Sequence, residues 1–550
     1  MLLHFGASTF SFSYFRHSVA EHKLALLLHS LTKPPIFKMA NIKHIVYLMF
    51  ENRSFDNALG WMYDKDTPSH FLPDGIKPVF RGLNHDFYNP DQTGKRHFVT
   101  KNDTKQNIPT EDPNEAYEFV NNQLFGSQAT PVSPTPPTME GFYIDYEANN
   151  SDTAQIMENF TAKSLPVLQG LGKSFAVSDE YYSSIPTQTN CNRAFAGSGN
   201  SIGNLNGSVT AMVDNYWWQG LEPWDPAEFI YPTIWNVLNK NGFSKPSDWT
   251  IFYNQLWPGH GLGYYCYTQD IFWPSLKDLN SNFATIDTFF TLAERGQLPT
   301  FSYLEPAWFE QEWGLGFNGA DYHPPGNVGP GEAFLLRVFA ALSKNKTQWD
   351  ETLFIVNFDE HGGTYDHYKT PWGSKAPWAD PANRTPAPAV CEKNFLFDRF
   401  GVRVPLLLIS PWINEKTVFR SGGDVPFDHT SVIATVLKQF NISKTTCGLG
   451  TRVANAPTFD FVLNRTTPRT DIPHITPHTE QANQSFDAPV NDLQLMIIHR
   501  AFARAIQLQG YPKDKFQALY NTHFVNVKTV SELKRAADKI MTIVKNDTSK

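Results

Sequence analysis

The run His44-Ile-Val-Tyr-Leu-Met-Phe-Glu-Asn-Arg-Ser-Phe-Asp56 constrains this chain more than any other segment. Ile45 to Phe50 are consecutively apolar, without the alternation of a half-exposed strand, so they read as a strand buried on both faces. That strand discharges directly into a carboxylate and an amide, Glu51 and Asn52. A second run, Leu353-Phe-Ile-Val-Asn-Phe358, ends the same way, on Asp359-Glu-His-Gly-Gly-Thr-Tyr-Asp-His367. Open α/β sheets bind ligands just beyond the C-terminal ends of their strands. Two strands that both release acidic groups there point to one hard-cation site assembled from distant parts of the chain.

Composition narrows the class. The 550 residues are 41% hydrophobic and 18% charged, an ordinary globular balance with length for a large core. With 46 basic against 54 acidic residues the net charge is −8, and no basic cluster stands out, so nucleic acid is not expected as a partner. No apolar run reaches the roughly 18 residues of a membrane-spanning helix. Cys191, Cys266, Cys391 and Cys447 contain no C-x-x-C pair, which excludes a zinc knuckle or redox motif and leaves disulfide pairing open.

Asn-x-Ser/Thr sequons occur at Asn102, Asn149, Asn159, Asn206, Asn345, Asn383, Asn441, Asn464, Asn483 and Asn546. They lean towards a secreted glycoprotein. Residues 1–38 would then be a leader or extension, although their apolar core, Leu24 to Leu28, is short and lacks a small-residue cleavage site. A cytoplasmic protein is expected if that segment is no leader.

Buried strands alternate with helical periods, the pattern of an α/β fold. Leu165 to Val177 reads as a helix feeding a short strand. Gly331 to Lys344 is amphipathic and leads into the Leu353 strand. Val404 to Ser410 is a third buried strand, and Asp428-His-Thr430 opens a helix from Ser431 to Phe440. The strands at 44–50, 353–358 and 404–410 are expected side by side in one mostly parallel sheet. Long Pro/Asn/Gly-rich insertions, 84–140 and 368–400, suggest covers over a site. The catalytic domain is set at 39–465. A C-terminal helical extension, 466–550, packs on the core through two helices, Asp492 to Gln509 and Val530 to Val544. The second is opened by the capping box Thr529-Val-Ser-Glu532.

The phrases Glu51-Asn-Arg-Ser-Phe-Asp56 and Asp359-Glu-His-Gly-Gly363, in this order, resemble the phosphoesterase family of phospholipases C and bacterial acid phosphatases. Phe175-Ala-Val-Ser-Asp179, Gly296-Gln-Leu-Pro299, Tyr303-Leu-Glu-Pro306, His323-Pro-Pro325, Arg403-Val-Pro405, Ile409-Ser-Pro-Trp412 and Asp428-His-Thr-Ser431 extend the likeness over about residues 40 to 465. The resemblance implies an alkaline-phosphatase-like sheet and a metal-dependent phosphoric ester hydrolase. Its substrate would be a small phosphomonoester or a phospholipid headgroup, cleaved through a covalent phospho-enzyme.

The resemblance also implies roles. Thr189-Asn-Cys-Asn-Arg193 is similar to a family Thr-x-Pro-Asn-Arg pattern, which makes Thr189 the nucleophile and its product a phosphothreonine. A threonine hydroxyl needs a base or metal to attack at neutral pH. Glu51, Asn52, Thr189, Asp359 and Glu360 would hold that divalent ion, whether calcium, magnesium, manganese or zinc. Arg193 would orient the phosphoryl group. His323 would protonate the leaving alkoxide or bind phosphate, and His361 would do likewise or brace the acidic pair. Asp366, His367, Asp428 and His429 read as capping or loop hydrogen-bonding groups.

Three positions depart from the family pattern. Asn57 and Glu115 stand where histidines are usual, and Cys191 replaces proline. If Glu115 lines the site an acidic optimum is expected, since a carboxylate would repel phosphate. About 85 residues follow the core, which suits a compact phosphomonoesterase or small phospholipase better than a large lipid-docking enzyme. Two other readings compete. Gly199-Asn-Ser-Ile-Gly203 satisfies the nucleophile-elbow pattern, which would make the protein a serine esterase using Ser201. A degenerate hydrolase scaffold serving as a glycan- or protein-binding module is the other.

Overall fold

The computed structural model describes residues 41–205, 207–215, 228–255, 265–309, 319–380, 386–477, 489–508, 511–524 and 526–548. The leader expected at 1–38 and the sequons at Asn206, Asn383 and Asn483 lie outside them. Nine strands build the main sheet: β1 (His44–Phe50), β2 (His70–Leu72), β3 (Ala176–Ser178), β4 (Trp249–Tyr253), β5 (Phe283–Thr285), β6 (Phe301–Leu304), β7 (Thr352–Phe358), β8 (Leu406–Ile409) and β9 (Thr417–Phe419). Their spatial order is β5-β4-β6-β1-β7-β8-β3-β9-β2. Every neighbouring pair is parallel except the two made by β8, which runs against β7 and β3. The three strands expected together are therefore adjacent, and the third is the antiparallel one.

Both central strands are buried along almost their whole length, as their unbroken apolar runs require. The helices that bear on the site and the extension include α1 (Phe55–Leu59), α2 (Tyr117–Phe125), α3 (Pro166–Ser174), α4 (Thr189–Ser198), α5 (Gly329–Lys344), α6 (His429–Gln439), α7 (Asp492–Leu508), α8 (Lys513–His523) and α9 (Val530–Thr548). On one face α4 and α6 pack together, with Ala196 and Val432 over Tyr47 and Tyr303. The register aligns Tyr47 with Ile355 and Ile355 with Leu408. Leu407, which contacts α3 at Gly172, therefore faces the other side, where α3 packs against α5. The sheet thus has helices on both faces, the expected α/β architecture.

The extension contains three helices rather than two: α8 was not anticipated, although Phe516, Leu519 and Tyr520 stand at helical spacing. The Thr529 capping box is present, with Glu532 N donating to Thr529 Oγ1 and Thr529 N to Glu532 Oε2, each at 3.3 Å. Asp428 likewise caps α6 in a box with Ser431. All four cysteines are free thiols. The sequons at Asn102 and Asn159 are buried, with their amides bonded to Lys105 O and Met157 O. Among the described residues no helix is long and apolar enough to cross a membrane.

Candidate active site

The β1–β7 register sets Phe50 beside Phe358, so the residues that follow leave the sheet at the same level. Asp359 N donates to Phe50 O at 3.1 Å, and Asn52 N donates to Asp359 Oδ1 at 3.0 Å. The two turns then press together. A Cβ on Gly362 would lie 2.4 Å from Asn52 O, and Gly362 takes a φ of +57°, so only glycine fits there. Asn52 itself is left-handed at φ 53°, a conformation asparagine tolerates. Glu51, Asn52, Asp359 and Glu360 all emerge fully buried.

Thr189 is the first residue of α4. Asn192 accepts from Ile185 N at 3.1 Å and donates to Thr187 O at 2.7 Å, which ties the preceding loop to the helix and fixes where Thr189 points. Its Oγ1 lies 3.1 Å from Glu51 Oε2 and 3.3 Å from Asn52 Oδ1. Asp359 Oδ2 and Glu360 Oε1 are buried without a hydrogen-bond partner. Burial raises the carboxyls of Glu51 and Glu360 well above the usual range, with Asp359 adding to both and Arg193 opposing the rise at Glu51. An oxygen-rich donor set with orphaned carboxylate oxygens and a strong desolvation cost fits a hard divalent cation.

Arg193 does not face outward. Its Nε donates to Glu51 Oε1 at 2.7 Å, Nη1 to Tyr303 OH at 3.1 Å, and Nη2 to Met49 O at 3.3 Å. It is a counter-charge to the acidic pair, 3.6 Å from Asp359 Oδ2. His323 is equally committed: its Nε2 accepts from Asn52 Nδ2 at 2.9 Å, and Nδ1 meets Pro324 O. Burial lowers its pKa to about 4, so it is neutral and orients the Asn52 amide. His361 sits between Gln123 Oε1 at 2.7 Å and Glu360 Oε2 at 3.2 Å, bracing that carboxyl, and burial lowers its pKa to about 3.

The departures from the family pattern separate in space. Asn57 is tied to Arg53 Nη1 at 3.2 Å within α1, and Cys191 packs inside α4 towards Asp214 O. Glu115 is at the site. Asn52 Nδ2 donates to it, and burial together with Glu360 raises its carboxyl well above the usual range. A cleft of about 260 Å³ opens above Thr189, lined by Asp112, Glu115, Phe119, Asp492, Leu493 and Met496 among others. The three extension residues in that wall were not legible in the sequence, because nothing local announces which cleft a distant helix will border.

Asp56, Asp366 and His367 also bring ligand-type atoms within 4.8 Å of one another. Arg403 already occupies that cluster, with Nη2 to Asp56 Oδ1 at 3.0 Å and Nε to Asp366 Oδ1 at 3.0 Å, while His367 Nδ1 meets Asp56 Oδ2 at 2.6 Å. The guanidinium stands where an ion would, and the cluster fastens the two post-strand loops together.

The serine-esterase reading fails on order of elements. Ser201 follows helix α4 and precedes a strand, Ile202–Leu205, whereas a nucleophile elbow needs strand before and helix after. Its hydroxyl is buried and donates to Met212 O at 2.7 Å.

A family model described as the Phosphoesterase family matches residues 42–443. Non-specific phospholipase C6 of Arabidopsis thaliana is 33% identical over 84% of this chain and 80% of its own length. Hemolytic phospholipase C of Pseudomonas aeruginosa is 26% identical over 73% of this chain and 53% of its own. Among solved structures, a protein in the alkaline phosphatase superfamily from Vibrio parahaemolyticus covers 75% of this chain at 12% identity with a TM-score of 0.29, too low to carry residue correspondences.

Proposed function

This chain belongs to the phosphoesterase family and is a phosphoric ester hydrolase, and we propose that it cleaves phospholipid head groups through a phosphothreonine at Thr189. The observation that carries this reading is the hydroxyl of Thr189 at the base of the cleft, 3.1 Å from Glu51 Oε2. Attack forms the Thr189 Oγ1–phosphorus bond and breaks the bond to the alcohol oxygen. Glu51 Oε2 is the nearest acceptor for the hydroxyl proton, which is passed on through solvent to the departing alkoxide. Water then displaces Thr189, which regains its proton, so ester and water yield alcohol and phosphoryl product. Thr189 opens α4, whose N-terminal end favours the negative charge brought by phosphate.

Glu51, Asn52, Thr189, Asp359 and Glu360 would hold a divalent cation. That ion would neutralise the buried carboxylates and lower the pKa of the attacking hydroxyl. Arg193 keeps Glu51 oriented, His323 holds the Asn52 amide oxygen towards Thr189, and His361 steadies Glu360.

Charge at the mouth favours a phospholipid over a phosphomonoester. Asp112, Glu115 and Asp492 line the cleft. Such a mouth suits a monoanionic diester with a cationic head better than a dianion. The size that suits a compact phosphomonoesterase or a small phospholipase is in keeping with the plant phospholipase, which aligns over 80% of its own length. The test is a head-to-head assay of phosphatidylcholine against p-nitrophenyl phosphate. Release of phosphocholine with little inorganic phosphate is expected; preference for the monoester would overturn the phospholipid assignment.

A further inference from the structure

One wall of the cleft above Thr189 comes from the C-terminal extension. Asp492, Leu493 and Met496 stand at positions i, i+1 and i+4 of α7, on the side that meets the cleft. The start of α7 is tied to the catalytic domain by Gln494 Nε2, which donates to Trp308 O at 3.3 Å, and is capped locally. Gln494 N donates to Asn491 Oδ1 at 2.8 Å, and Asn491 N donates back to Gln494 Oε1 at 3.3 Å. Asn190, next to the nucleophile, donates from Nδ2 to Met496 Sδ at 3.2 Å. One turn further on, Arg500 grips Asp270 of the catalytic domain through Nε at 2.8 Å and Nη2 at 3.1 Å, with both side chains buried. The helix is thus clamped on both sides of the stretch that borders the site.

In-line displacement at phosphorus sets the leaving oxygen opposite the attacking one. With Thr189 at the base, the leaving alcohol points to the mouth, between Phe119 on α2 and Leu493 and Met496 on α7. We propose that these three side chains form the subsite for the carbon skeleton of the leaving alcohol, so that the extension selects for an aliphatic alcohol. The unbranched thioether of Met496 adapts to different skeletons. Asp492 at the same rim keeps the entrance polar. Arg500 is a positioning residue in this arrangement. The inference rests on Thr189 being the nucleophile.

The test compares ethyl and octyl phosphate esters, which differ little in leaving-group reactivity, offered both as monophosphates and as phosphocholine diesters. In the ester class that is turned over, Met496→Ala and Phe119→Ala are each expected to lower the octyl-to-ethyl ratio of kcat/KM by about 10-fold or more. Met496→Leu should restore it, and Arg500→Ala should lower it mainly through KM. Lys539→Ala, on the exposed side of α9, should leave both esters unchanged. If Met496→Ala does not fold, Phe119→Ala decides. A folded Phe119→Ala with an unchanged ratio overturns the subsite. Thr189→Ala separates the two levels: its retention of turnover would overturn the nucleophile, whereas its loss beside an unchanged ratio would overturn the subsite alone.

Discussion

Arg193 donates from Nε to Glu51 Oε1 at 2.7 Å, with neither side chain more than about 2% exposed. The cation that faces the acidic pair therefore comes from the same helix as Thr189, one turn along. Removing one partner of a buried ion pair leaves the other charge uncompensated, at a cost of about 3–5 kcal/mol. Arg193→Ala should lose that much in denaturant unfolding and bring turnover down with it. Arg193→Lys should be milder, because it keeps a charge but not the bond geometry. A loss below about 1 kcal/mol for the alanine variant would mean that the pair contributes little.

Thr189→Ala should reduce turnover by ~10³-fold or more, the usual scale for losing a covalent route. Thr189→Ser keeps a hydroxyl and should retain measurable activity. Enzyme acid-quenched during turnover of phosphatidylcholine and digested for mass spectrometry should carry phosphocholine on the peptide containing residue 189. Ser201→Ala should leave turnover intact, because that hydroxyl is held by Met212 O. Loss of activity in Ser201→Ala with survival in Thr189→Ala would reverse the assignment.

Asp359→Ala removes a buried carboxylate that orders the Asn52 and Glu360 backbones as well as presenting an orphaned oxygen. Both bound divalent metal, measured by elemental analysis, and turnover should fall to background. Chelator treatment of the unsubstituted protein should have the same effect, reversed by adding metal. A variant with full metal content and normal turnover would remove Asp359 from the site.

Glu392 offers a pH test of stability remote from the chemistry. Burial, with a further push from Asp214, raises its pKa to about 7, while Val213 N donates to Oε2 at 2.8 Å. The folded state holds this proton more tightly than the unfolded one. Its contribution is full below the unfolded value near 4.5 and is lost as pH rises to about 7. Glu392→Gln keeps an acceptor for Val213 without the charge. Thermal melts should show the variant and parent alike near pH 4, with the variant ahead by roughly 2 kcal/mol above pH 7. A gap that does not vary with pH would disprove the linkage.

The sequence by itself determined what is local. The apolar runs of β1 and β7 and the acidic residues that end them were readable because burial on both faces demands unbroken hydrophobicity. The caps at Asp428 and Thr529 were readable because capping involves neighbours three residues apart. Tertiary structure decided everything that depends on which distant segments meet. The register of β1 against β7 brings Asp359 to Glu51. The same packing turns Arg193 inward on Glu51, engages His323 with Asn52, fills the Asp56–Asp366 pair with Arg403, and lays α7 along the cleft. Ser201 shows the limit most plainly. Its flanking glycines matched a motif, but that motif needs a strand before it, and residues 189–198 form a helix whose buried face is set by contacts with α6 and the sheet. Pairing energies between segments hundreds of residues apart leave no local trace, so no reading of spacing alone could have supplied them.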